Sequence, residues 1–277
     1  MKRTLVLASV ALLACACLLQ ARRIYIPPTP DRLATAACAV IGKVTEIEKK
    51  SVVASANAGD PQKYEYQIAV IKVESALAGA QGLTHVRVGL QGPPVKNDEP
   101  NRRNAPAAPA QLVVGQEGCF FLQQHHDQPF YVFNQYQGFV SKESDPAGFE
   151  VLNRCAKLLK DPMAGLKSKE VDDRFLTAAM LVARYRNGVP GAKAVKTEAI
   201  PVEESKLILL ALRDADWGRE AGDRMSPQQT FARLGLTPQD GWKQPTDFKQ
   251  YQATAKDWLT KHADSYRIQR YVSADKK

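Results

Sequence analysis

The sequence predicts an α+β chain, all-β first and all-α second: a small five-stranded β-barrel followed by a small helical region. Three observations lead there. From about residue 34 to 140 the apolar residues alternate with the period of two that a half-buried strand requires, in segments rich in Val, Ile, Tyr and Phe. From 146 onward they recur every three or four residues, as on one face of a helix. The chain has 277 residues, 44% hydrophobic and 24% charged, which is globular composition at a length for roughly two domains. That composition excludes a wholly disordered, collagenous or polytopic membrane protein.

Met1-Lys2-Arg3 is a short basic stretch, and residues 4–19 are apolar or small until Arg22-Arg23 closes the run. At about 1.5 Å per residue this run is short for a membrane core of about 30 Å. Residues 1–21 therefore read as a cleaved secretory signal. The cleavage position stays open among three. Leu12-Leu13-Ala14-Cys15 resembles a lipobox, which would make a lipidated Cys15 the first residue, although Leu13 stands where a small residue is preferred. Ala14-Cys15-Ala16 would leave Cys17 first, and Leu19-Gln20-Ala21 would remove both cysteines. The expected location is exported: periplasmic, anchored in the outer envelope, or extracellular. Only the signal or a lipid would contact a membrane.

The barrel segment is 24–145. The first strand is expected over 36–48, with Gly42 inside it marking a sharp bend or a close backbone approach. The second spans 63–76. There Tyr64, Tyr66, Ile68 and Val70 share one face before Ile71 and Val73 carry the apolar phase to the other, as at a bulge. The third spans 83–90, where Val86, Val88 and Leu90 alternate with His85 and Arg87. The fourth spans 112–124 and the fifth 130–137, joined as a hairpin through His125, Asp127 and Pro129. Bent strands of this kind suit a small barrel, which leaves no exposed edge. Long loops are expected over 49–62 and over the proline-rich 91–110.

The helical segment is 146–277. A short helix is expected over 149–159, ending before Asp161-Pro162. A second runs from a Ser168 cap to about 186, with Val171, Phe175, Ala178, Val182 and Tyr185 on one face and Asn187-Gly188 as its stop. A third starts at Pro201 and runs to about 216. Its stretch from Leu207 to Leu212 is apolar nearly all round, which predicts a central buried helix. Ser226-Pro227 opens a short helix closed at Gly235, and Thr246 or Asp247 caps a last one to about 268. Phe248, Tyr251, Ala255, Trp258, Leu259 and Tyr266 form a stripe on that last helix. It reads as core, with a ligand platform as the sharper alternative.

The runs 36–47 and 66–79, and Val114-Gly115-Gln116-Glu117 before an apolar strand, resemble an OB-fold. More narrowly they resemble the netrin-type module of tissue inhibitors of metalloproteinases, over about residues 15–140. Members of that family often begin Cys-x-Cys, then a proline-containing stretch, then the first strand. This chain has Cys15-Ala16-Cys17, then Pro27, Pro28 and Pro30, then strand one. The resemblance implies an OB-like netrin-type barrel. It also implies a protein partner, a metalloprotease, whose zinc is chelated by the amino group and carbonyl of Cys15 or Cys17. The sequence departs from the family in lacking most of the anchoring cysteines and in a longer spacer, and a lipid on Cys15 would remove that amino ligand.

Past the signal, Cys38, Cys119 and Cys155 remain, an odd number. Cys38 and Cys119 lie in strand-like runs where small buried hydrophobes are the plainer reading. A Cys38–Cys119 disulfide is the sharper one, because export permits it. His125-His126-Asp127 is the densest set of metal-capable side chains, read first as a polar hairpin tip, with no metal or cofactor expected. Residues 24–145 carry 11 Lys and Arg against 12 Asp and Glu, and 146–277 carry 23 against 17. The excess positive charge therefore does not lie on the barrel, which argues against nucleic acid there. No nucleophile elbow, zinc-protease helix, phosphate loop or dinucleotide fingerprint is present. The expected role is a non-enzymatic, protein-binding one. Metalloprotease inhibition through an N-terminal Cys is the alternative, and a hydrolase with an acidic cleft between barrel and helices is the second.

Overall fold

The computed structural model describes residues 26–95, 111–133, 137–189, 192, 194–218 and 225–274. Residues 1–21, with Cys15 and Cys17, and most of the proline-rich loop lie outside the described residues, as do 134–136 of the expected fifth strand.

The barrel is closed by five strands. β1 (Cys38–Ile47) pairs antiparallel with β3 (Lys63–Ala78) on one side and with β5 (Glu117–Gln124) on the other. β3 pairs with β4 (His85–Pro94), β4 runs parallel to β6 (Tyr131–Phe133), and β6 returns to β5. The circuit β1-β3-β4-β6-β5 closes through the β1–β5 pairing, giving an OB-like mixed barrel. Two short strands were not expected. β2 (Val52–Ser55) lies within the expected first loop and pairs with β3, and β7 (Phe139–Ser141) adds to β5.

Tyr66 and Ile68 are buried in a small cluster with Ala54 and Phe130, whereas Ala69 and Ile71 enter the barrel core. The expected phase slip in this strand is therefore present, at 68–69. The extra residue that absorbs the irregularity lies on the partner, where the β1 register shifts between Val44 and Glu46. Gly42 lies beside another such shift, and a Cβ there would meet the Lys72 carbonyl oxygen at 2.3 Å. Only a residue without a Cβ lets the two backbones approach this closely.

Helices follow and also precede the barrel. α1 (Thr29–Thr35) starts at a proline-led turn and buries Leu33 and Ala34. α2 (Pro146–Lys160) and α3 (Pro162–Leu166) are capped by the carboxylates of Asp145 and Asp161, which accept from Gly148 and Ala164 N–H groups. α4 (Val171–Tyr185) is the central helix, buried continuously from Thr177 to Ala183. α5 (Val202–Asp214) packs on α4, and α6 (Pro227–Arg233) is capped by Ser226. A turn of 3-10 helix at Phe248–Gln250 leads into α7 (Tyr251–His262).

The last helix is shorter than its periodicity predicts. It stops at His262, and Gln269–Ser273 forms β9, paired antiparallel with β8 (Val195–Ala199). The switch is held by tertiary bonds: Ile268 N–H donates to the Ser205 hydroxyl at 3.0 Å, and Ile200 N–H donates to the Ile268 carbonyl at 3.0 Å.

One core joins the two halves. Leu33, Ala39, Cys119, Phe121 and Val140 are buried in the same cluster as Leu152, Phe175, Met180 and Leu209. β5 is thus apolar on both faces, with Phe120 and Leu122 inside the barrel and Cys119 and Phe121 against the helices. This corrects the disulfide expectation. Cys38, Cys119 and Cys155 are free and buried, and Cys38 faces the barrel interior while Cys119 faces the helical side. In the register Cys38 opposes Leu122 and Cys119 opposes Ile41, an offset of three residues. That is roughly 10 Å along a strand, beyond the ~7 Å Cα separation a disulfide spans.

Candidate functional site

Two places have the makings of a site. The first is the turn between β5 and β6. Gln124 ends β5, and His125, His126 and Asp127 follow on the bend, so three consecutive side chains fan around one point. One ligand atom from each lies within 4.8 Å of the others. The imidazole of His125 is wholly buried, with Tyr66 edge-on at 5.4 Å and Phe130 at 4.9 Å between ring centroids. His126 stacks on it at 4.5 Å. Asp127 is half-exposed, so the cluster opens to water on the carboxylate side.

The hydrogen bonds assign the tautomers. The Nε2 of His126 lies 2.9 Å from the Ser55 carbonyl, which can only accept, so His126 carries its proton on Nε2. The Nδ1 of His125 accepts from the backbone N–H groups of Asp127 and Gln128 at 3.3 and 3.2 Å. Both Nδ1 lone pairs therefore face the Asp127 carboxylate, whose Oδ1 is 2.9 Å from His125 and 3.8 Å from His126. Burial lowers the pKa of His125, the neighbouring His126 adds to this, and Asp127 works in the opposite direction. The neutral imidazole is the favoured form. The Nε2 of His125 and the hydroxyl of Tyr66 are buried with no hydrogen-bond partner among the described residues.

The second place is a cleft of about 920 Å³ where the barrel meets the helices. Its barrel side is the end of β3, from Ser75 through Gly79, and its other walls come from the α1–β1 junction, α2 and the end of α4. Ala34, Ala36, Ala37, Ala76 and Ala78 make much of the surface, so a ligand backbone can lie close. Lys157, Lys160 and Arg184 are exposed along it, and no carboxylate or aromatic ring lines it among the described residues. The Arg184 Nε and the Asn187 amide also reach back to the carbonyls of Ala34 and Thr35, tying α4 to the entry of β1.

The other sequence candidates fall elsewhere. Cys15 and Cys17 lie outside the described residues. Tyr251, Trp258 and Tyr266 are packed with Phe231 and Trp242, so the last-helix stripe is core, with only Phe248 exposed, at 71%. His262 stacks on Trp258 at 4.6 Å and bonds its carbonyl, as a packed edge histidine does. His85 is an exposed residue of β4. Sequence reasoning missed Ser55 and Tyr66 as neighbours of the histidines, because β2 was hidden in an expected loop. It also missed the cleft cations. The three-residue spacing of Lys157 and Lys160 on one helix face was the available signal. Among the described residues, no helix is long and apolar enough to cross a membrane.

No known protein-family model matches the chain, and no curated protein matches it.

Proposed function

We propose that this is an exported, non-enzymatic binding protein whose cleft between barrel and helices holds an extended acidic segment of a partner protein. The carrying observation is the cleft itself, with three cations, an alanine-rich wall and no opposing carboxylate among the described residues. Its volume is that of a ligand site. Single-stranded nucleic acid would require stacking rings, and none lines the cleft. Export, and a tether through Cys15, rest on the signal-like residues 1–21.

A fluorescein-labelled Glu-rich peptide tests the reading by anisotropy. Binding should weaken steeply with salt and be lost in K157E/K160E/R184E, while an oligothymidylate competes poorly. Binding unaffected by the triple charge reversal would overturn it, and so would stronger binding of the oligonucleotide.

Two other readings each have one observation behind them. The closed OB-like circuit suits the netrin-type resemblance, and with it metalloprotease inhibition by the amino group and carbonyl of Cys15 or Cys17. Inhibition of a zinc protease by chains beginning at Cys17, lost on trimming that residue, is its expected result. A hydrolase would draw on His125, His126 and Asp127. The acidic cleft it was expected to need is instead cation-lined. Turnover of a substrate abolished by D127N is the result that reading requires.

A further inference from the structure

The geometry points to a borderline divalent metal site, of the zinc class, at the β5–β6 turn, with His125 Nδ1, His126 Nδ1 and Asp127 Oδ1 as ligands. The argument starts from lone pairs. Two imidazole nitrogens and a carboxylate oxygen face one another at 2.9 and 3.8 Å, and the tautomer set by the Ser55 carbonyl places no proton on His126 Nδ1. Three acceptors that converge repel one another unless a cation lies among them.

The spacing suits such an ion. Zinc–ligand bonds of about 2.0–2.1 Å in a tetrahedron separate adjacent ligand atoms by roughly 3.3 Å. The observed 2.9 and 3.8 Å bracket that value, so small side-chain rotations complete the set. Metal-ligating histidines characteristically donate their other ring N–H to a carbonyl or carboxylate, which fixes the ring. His126 does this with Ser55, a residue of β2, 71 positions away in sequence. His125 is held from the opposite side by Tyr66 and Phe130. A metal on its Nδ1 replaces two long contacts from the Asp127 and Gln128 N–H groups.

Two nitrogens and one oxygen make a ligand set for zinc, copper(II), nickel or cobalt, and a poor one for calcium or magnesium, which prefer all-oxygen shells. The half-exposed side of Asp127 leaves room for water as a further ligand. The site is independent of the cation-lined cleft and of the peptide proposed to bind there.

The test is titration of the full chain, stripped with chelator and dialysed, with zinc alone by calorimetry and with cobalt(II) by visible absorption. One equivalent should bind, and D127N and H126A should each weaken it about tenfold or more. The double variant should abolish it, with circular dichroism unchanged. Excess magnesium should not compete. Binding that survives H126A/D127N but disappears in C15S/C17S would overturn the proposal by assigning the metal to the N-terminal cysteines. Absence of stoichiometric binding in the wild-type chain would also overturn it. H126Q, which keeps a polar side chain beside Ser55, separates loss of a ligand from loss of the turn's structure.

Discussion

Asp31 and Arg233, 202 residues apart, meet in a two-pronged ion pair with both N–O distances at 2.6 Å. Asp31 lies on α1, which leads into the barrel, and Arg233 ends α6 in the helical region. The Asp31 side chain is 6% exposed and that of Arg233 is 38% exposed. The asymmetry dictates which deletion costs more. In R233A the carboxylate stays buried without its counter-ion, whereas in D31A the guanidinium can turn to water. We expect R233A to lower unfolding stability by about 2–3 kcal/mol and D31A by about half that, with R233A/D31A costing less than the sum. Urea denaturation midpoints check this, and equal effects from the two single variants would refute it.

A second expectation concerns the β1–β3 crossing. A Cβ on Gly42 would sit 2.3 Å from the Lys72 carbonyl oxygen, a backbone atom that cannot rotate away. G42A should therefore cost about 2 kcal/mol or more, as overpacking does. Gly59, with φ at +79° and open space around it, provides the control. There G59A meets only the backbone preference of about 1 kcal/mol. Thermal denaturation of the two variants should separate them clearly, and comparable losses would show that the β1–β3 approach is looser than described.

Gly42 also shows what the sequence makes legible. A lone glycine in a β-branched run is readable because no other residue explains it. The five barrel strands were readable because each alternates, and the caps at Asp161-Pro162 and Ser226-Pro227 because they are local. The misses have a different physics. Val52–Ser55 is too short to show a period, and it folds as β2 only because β3 offers its edge. Gln269–Ser273 continues a helical stripe in sequence and becomes a strand because β8 and Ser205 capture it. The continuous run Cys119-Phe120-Phe121-Leu122 marked burial but not its two-sidedness, which depends on helices that pack later in the chain. At the candidate sites, the cluster of His125, His126 and Asp127 was visible, while its neighbours Ser55 and Tyr66, and the cleft that gathers Lys157, Lys160 and Arg184, come only from tertiary structure.

A third expectation is a pH effect from Glu48. Its carboxylate takes both Nε and Nη2 of Arg87, at 2.8 and 2.9 Å, bracing the end of β1 against β4. The hydrogen bonds from Arg87 lower its pKa, against a smaller upward push from burial. A carboxylate with a depressed folded-state pKa binds fewer protons folded than unfolded. The stability it contributes is complete above the unfolded value of about 4.3 and is lost as pH falls through the folded value. Both side chains are partly exposed, so the contribution is screened to under about 1 kcal/mol. E48Q should flatten the acid side of the stability profile by that amount and leave stability above pH 6 lowered by the same amount. A profile parallel to wild type throughout the acid range would refute the assignment.

The thiols provide the last expectation. Burial pushes the Cys38 thiol up to about 11, against a small opposing effect from Tyr131, and the Cys155 thiol up to about 12. Burial drives Cys119 higher still. The thiolate is the reactive form, so at pH 8 all three should resist alkylation in the native protein. In denaturant without reductant all three should label, because none is bridged. Cys38 and Cys119 lie on opposite faces of a sheet with a three-residue offset, so oxidation cannot join them without unpairing β1 from β5. Peptide mapping of the alkylated chain reads each site separately from Cys15 and Cys17. A linked peptide containing Cys38 and Cys119, recovered from protein digested without reductant, would show that β1 and β5 pair in a different register. Rapid native labelling of Cys119 alone would show instead that the contact between β5 and the helices opens, since that contact is what covers this thiol.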